Sequence, residues 1–341
     1  MSPPPRPAAA PAAHEINALV LLYNQQRYAE TAAAAQRLCA RFPSFGLAWT
    51  LQGAALKASG RVREALPAML KAAALAPEDP DAQYNLGQVQ RDCENHAAAI
   101  DCFHAALQLR PAFPAACNAL GNALADAGRY EEAVDAFRKA QQLQPDDVFV
   151  CNNLGVTFRQ MGRLAEAEDC YRTALRLRPD YVEAHFNLGM VLLEQQRAAE
   201  ATVCFLAAVQ SCPTAAEAWL MLGHSRLGQA QTALAAEAFS RVLALNPNHA
   251  EALLALGSLH FRCGSPELAE PLLQRARTLT PESAPLLHCL GHVLAALGKP
   301  DDAMPCLCGA LERMPDWRLA LQELTTPFLH LPATHPGPPP C

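Results

Sequence analysis

Proline stands at every thirty-fourth residue along most of the chain: Pro43, Pro77, Pro111, Pro145, Pro179, Pro213, Pro247, Pro281 and Pro315. Glycine keeps the same step at Gly53, Gly87, Gly121, Gly155, Gly189, Gly223, Gly257 and Gly291, and alanine at Ala65, Ala99, Ala133, Ala167, Ala201, Ala235, Ala269 and Ala303. A fixed period of this size marks an array in which each unit buries its apolar face against its neighbours. The 341 residues therefore divide into repeats rather than globular domains. Alanine is abundant and aromatics are only 6% of the chain, which favours helix over strand. Each period then reads as two helices and a short turn. Gly60, Gly128, Gly162, Gly264 and Gly298 fall in that turn and supply the positive φ of a helix C-cap. The recurring proline lacks a backbone N–H, so it ends the second helix.

Glycine in mid-helix costs about 1 kcal/mol relative to alanine, and eight of them need an offset. Close helix approach supplies one. Small residues at Ala133, Ala140 and Ala167 are expected to meet the glycines, with Phe103, Phe137, Tyr171, Phe205 and Phe239 filling the space between successive units.

Composition narrows the function. The net charge is −6 with both signs interspersed, so no basic face is available to neutralise nucleic-acid phosphates or to hold an anionic membrane surface. No apolar run reaches the length of a spanning helix, and the first, Ile16 to Tyr23, follows His14 and Glu15 without a basic segment. A cytoplasmic location is the expectation. Of the thirteen cysteines, Cys102, Cys170, Cys204 and Cys306 share one repeat position with Ala68, Ala136, Ala238 and Leu272. They read as small packing residues, not as a disulfide or metal framework. No phosphate-cradling loop or nucleophile elbow occurs, so no enzyme and no cofactor is expected. Glu131, Glu132, Asp301 and Asp302 stand where second helices begin and suit the helix dipole.

Residues 148–181, VFVCNNLGVTFRQMGRLAEAEDCYRTALRLRPDY, resemble the tetratricopeptide repeat, with Leu154, Gly155, Ala167, Tyr171, Ala174 and Pro179 at its signature positions. Units begin near Ala12, Gly46, Pro80, Pro114, Val148, Val182, Ala216, Ala250 and Ala284. The resemblance implies an all-α fold: a right-handed α-solenoid superhelix of nine helix–turn–helix repeats over 12–317. A capping helix over 318–326 would follow, between a Pro/Ala-rich disordered start (1–11) and a disordered Pro-rich tail (327–341).

In this family the first helix of each unit lines the concave groove, through unit positions 2, 5, 6, 9, 12 and 13. That face carries Asn85, Gln88, Arg91, Asn118, Asn122, Asn152, Asn153, Arg159 and Asn187. Asparagine is a mediocre helix former, but its amide both donates and accepts, which suits an extended peptide backbone. The bland alternative is that asparagine before Leu-Gly is common in the family. Asn85, Asn153 and Asn187 share position 6 and are expected to leave their amides to solvent or to a protein or peptide partner. That row resembles the asparagine ladder in the repeat arm of O-linked N-acetylglucosamine transferases. The alternative function is thus a substrate-recruiting arm whose catalytic domain is absent or separate. The two-carboxylate clamp of chaperone adaptors does not fit, because Asn118 stands where lysine is needed and Glu183 would repel a carboxylate. Further along, Leu220, Met221, Leu254 and Phe261 form either a second, apolar contact zone or inter-repeat packing. His288 and His292 are four apart on one helix but offer two ligands only, fewer than a zinc site uses, so no metal is expected.

Overall fold

The computed structural model describes residues 10–313. They form eighteen helices in chain order. The first nine are α1 (Ala13–Asn24), α2 (Tyr28–Arg41), α3 (Gly46–Ala58), α4 (Val62–Leu75), α5 (Pro80–Asp92), α6 (His96–Leu109), α7 (Pro114–Asp126), α8 (Tyr130–Leu143) and α9 (Val148–Gln160). The others are α10 (Leu164–Leu177), α11 (Val182–Glu194), α12 (Ala198–Ser211), α13 (Ala216–Gly228), α14 (Thr232–Leu245), α15 (Ala250–Arg262), α16 (Pro266–Leu279), α17 (Ala284–Ala296) and α18 (Pro300–Arg313). Odd-numbered helices are the first, even-numbered the second, of nine pairs among the described residues, and each pair begins within two residues of the predicted unit starts. The expected capping helix over 318–326, the Pro-rich tail and all of the Pro/Ala-rich start except Ala10 and Pro11 lie outside the described residues. The chain divides between Val191 and Leu192 into two compact units, each with its own apolar packing.

Two glycine series do two different jobs. A Cβ on Gly60, Gly128, Gly162, Gly264 or Gly298 would meet nothing within 4 Å, but their φ lies between +72° and +78°. These glycines are there for backbone conformation. The chain closes each of the nine described turns with one 6→1 bond, such as Arg129 N to Leu124 O at 2.8 Å, the Schellman pattern that satisfies orphan carbonyls. Four turns do so without glycine: Gln26, Glu94, Gln196 and Ala230 have φ of 58°, 63°, 62° and 59°. An L-residue there carries roughly 1–2 kcal/mol of strain, partly offset by glycine's larger entropy when unfolded. Ala230→Gly is therefore expected to stabilise the fold by about 0.5–1 kcal/mol in urea unfolding. A loss of stability would show that the turn does not carry this strain.

The mid-helix glycines are there for space. A Cβ on Gly87, Gly121, Gly155 or Gly223 would lie 2.7, 2.6, 2.6 or 2.5 Å from the ring of Phe103, Phe137, Tyr171 or Phe239. All four rings are wholly buried. Each ring packs on the glycine of its own unit, sixteen residues earlier. The ring is thus the nearest neighbour of these glycines, while the expected alanine contact shows at Gly257 and Gly291, where a Cβ would lie 3.5 and 3.4 Å from the carbonyl oxygens of Ala269 and Ala303. Ala133 and Ala167, fully buried themselves, leave room on the second helix for a ring that the first helix receives.

An ion-pair pattern escaped the sequence reading. Arg27, Arg61, Arg129 and Arg197, each just before a second helix, grip Glu30, Glu64, Glu132 and Glu200 through two bonds of 2.5–2.8 Å; Arg163 and Glu166 pair likewise. The guanidinium holds the carboxyls of Glu30, Glu64, Glu132 and Glu166 below their ordinary pKa. These pairs are exposed and contribute little energy, but they account for Glu132 more specifically than the helix dipole does.

Candidate functional site

The first helices of the unit Met1–Val191 carry most of the residues singled out as a contact face. Unit positions 5 and 6 are adjacent in sequence, so position 5 of one first helix faces position 6 of the next at a separation of 35 residues. Asn153 Nδ2 donates to Asn118 Oδ1 at 3.1 Å, and Asn187 Nδ2 donates to Asn152 Oδ1 at 2.9 Å. Asn152 is 8% exposed, while the other three are half-buried. The expectation that Asn153 and Asn187 leave their amides free is thereby corrected: each is tied to the preceding unit. Each amide still has capacity, since an asparagine offers two N–H donors and two acceptor lone pairs and each bond uses one.

The same spacing links a second row. Lys57 Nζ lies 2.9 Å from Asp92 Oδ2, and Arg91 Nε lies 3.9 Å from Asp126 Oδ2, in each case position 12 against position 13 of the next unit. Among these four only Arg91 was legible as a site residue. A search for complementary pairs at period plus one would have found the other three.

Asn85 and Gln88 lie in a different setting. With Tyr23, Lys57, Met69 and Tyr84 they line a cavity of about 370 Å³ at α1, α3 and α5. Gln88 Nε2 donates to the Tyr84 hydroxyl at 2.8 Å. The Tyr84 ring is held by Phe113 and Phe103, with centroids 5.2 and 5.9 Å away. A rigid aromatic wall, a methionine floor and three polar heads thus meet at one place. Asn122 and Arg159 are half-buried further along and do not line it.

A larger cavity, about 450 Å³, is lined by α6, α7 and α8. Leu107, Leu120 and Leu124 line it with His104, Glu132, Asp135 and Lys139. Sequence reasoning did not single this face out, because its residues follow the ordinary amphipathic pattern of the repeat helices.

In the unit Leu192–Cys341 the apolar positions are drawn into packing. Leu220 is 2% exposed and sits among Phe239, Val242 and Leu256. Leu254 and Phe261 pack against Leu273, Leu286, Leu290 and Val293, and Met221 is half-buried. Of the two readings left open for this stretch, Leu220 follows inter-repeat packing and is withdrawn as a contact residue. Nearby, Ser225, only 2% exposed, bonds Thr202 Oγ1 at 2.7 Å and Ala198 O at 3.1 Å. The twelve described cysteines are all free thiols, and burial pushes Cys39 up to about 11 and Cys170 up to about 12.

Residues 17–80, 50–101, 152–216 and 220–284 match one tetratricopeptide repeat model, and residues 111–180 match a second. The chain belongs to the tetratricopeptide repeat family. Among solved structures, a chain of the APC/C hetero-tetramer Cut9–Hcn1 aligns at a TM-score of 0.55 and 19% identity, over 82% of this chain and 55% of that one. This tetratricopeptide array thus spans about half the length of that relative. Pseudomonas aeruginosa PilF aligns at 0.54 and 21% identity, over 61% of this chain and 94% of its own. YrrB, described as a TPR protein with an unusual peptide-binding site, aligns at 0.45 and 24% identity, over 55% and 96%. No curated protein matches. At these identities the likeness concerns the tetratricopeptide fold. Among the described residues no helix is long and apolar enough to cross a membrane.

Proposed function

We propose that the chain is a non-catalytic, cytoplasmic scaffold or adaptor that holds an extended segment of a partner protein against the first-helix face between Tyr23 and Asn187. The observation that carries this reading is the run of polar side chains already fixed on one face. Asn118, Asn152, Asn153 and Asn187 are oriented by one another and retain unused amide capacity, and beyond them lies the cavity lined by Asn85 and Gln88. Side chains ordered before binding lose less entropy when a partner arrives. Tetratricopeptide arrays serve as interaction surfaces, which agrees with the fold. The alternative, an arm feeding substrates to a separate glycosyltransferase, gains no support from the pairing. Two of the three asparagines that carry that resemblance are held by other asparagines.

The pairing also sorts the variants that test the reading. A partner is first identified by affinity capture with the intact chain and mass spectrometry, then titrated. Asn85→Ala removes an amide that has no cross-repeat asparagine and is expected to weaken binding by about 0.5–1.5 kcal/mol, up to roughly tenfold, with the melting temperature unchanged. Asn153→Ala with Asn187→Ala should lower both affinity and stability, since two inter-repeat bonds of about 1 kcal/mol each are lost. Wild-type affinity in both variants would place the partner elsewhere on the array.

A further inference from the structure

His288 and His292 belong to α17, four residues apart, so their rings rise from one side of the helix. The two Nε2 atoms are 3.1 Å apart, with ring centroids at 4.5 Å and planes crossing at 71°. Both side chains are half-buried. Cys289 lies between them in sequence, but its Sγ is engaged 3.2 Å from Ser258 Oγ.

Two nitrogens this close already have the bite of a chelate. Imidazole bonds late first-row dications at about 2.0–2.1 Å. A span of 3.1 Å then subtends about 95–102° at the metal, between the square-planar and tetrahedral angles. Sequence spacing predicts two donors on one helix face; the structure adds that their nitrogens converge.

We propose that His288 and His292 form a two-imidazole chelate for a late first-row divalent cation of the nickel and copper class. Among the described residues no third histidine, cysteine or carboxylate completes a cluster with them. The imidazole now donating its Nε2 proton shifts that proton to Nδ1 when the ion binds, with no net proton change.

The probe is nickel chloride, which avoids the thiol oxidation that copper causes, added to the tag-free full chain. Calorimetry should show one-to-one binding, weakened about tenfold or more in His288→Gln and in His292→Gln, with His260→Gln as an unaffected control. Paramagnetic broadening should reach the ring protons of His288 and His292 first, a readout on the wild-type chain that does not depend on either variant folding. Binding of wild-type strength in the His288→Gln/His292→Gln double variant would overturn the assignment, as would no heat at millimolar nickel or broadening confined to other histidines.

Discussion

Phe137→Ala should destabilise the protein by about 3–5 kcal/mol, with the damage concentrated in α7 and α8. Phe137 is wholly buried against Gly121, whose backbone offers no Cβ to move into the space the ring leaves. Alanine therefore opens a cavity that a helix backbone cannot collapse to fill, which puts the cost at the upper end for a core truncation. Repeat arrays gain stability from units and nearest-neighbour contacts, so one overall unfolding energy is a poor measure. Hydrogen exchange followed helix by helix is the right one. Amides of α7 and α8 should exchange much faster, and those of α15 and α16 should hardly change. Equal acceleration in both pairs would refute the nearest-neighbour picture.

Gly155→Leu is expected to cost about 1–3 kcal/mol through overpacking, although leucine is the better helix former by close to 1 kcal/mol. The clash decides the sign because its target cannot retreat: a Cβ at Gly155 meets Tyr171 Cε1 at 2.6 Å, and Tyr171 is fully buried. The partner can be checked by a double-mutant cycle. Combined with Tyr171→Ala, the leucine should fill part of the space vacated by the ring, giving a coupling of about 0.5–3 kcal/mol. Strict additivity would mean that the glycine faces something else.

The period and the helix-breaking prolines were legible because they recur at one position in unit after unit, and a 34-residue step lines them up. Contacts between different positions do not line up in this way. Gly155 and Ala167 align with their counterparts in other units equally well, and nothing in a periodic series says which of them touches the Tyr171 ring. The amide and ion pairs were hidden for a related reason. Asn153 bonds Asn118 and Lys57 bonds Asp92 at a separation of 35, so a comparison of like with like passes over them. Glu94 and Ala230 were missed as left-handed residues because the turn closes through backbone bonds that any residue can make. Leu220 was ambiguous because an apolar side chain reads the same on an open wall and in a seam. Only its 2% exposure separates the two.

The asparagine pairs are directional, and that has a consequence for building with this sequence. Residues 148–181 contain both halves of the joint: Asn152 accepts from the unit after it, and Asn153 donates to the unit before it. The preceding unit has Ala119 in place of the donor, and the following one has Phe186 in place of the acceptor, so each can only end the row. Residues 148–181 are thus a self-complementary module. Copied head to tail, the segment would give every internal joint its own amide bond, and the flanking units would serve as ready-made terminators.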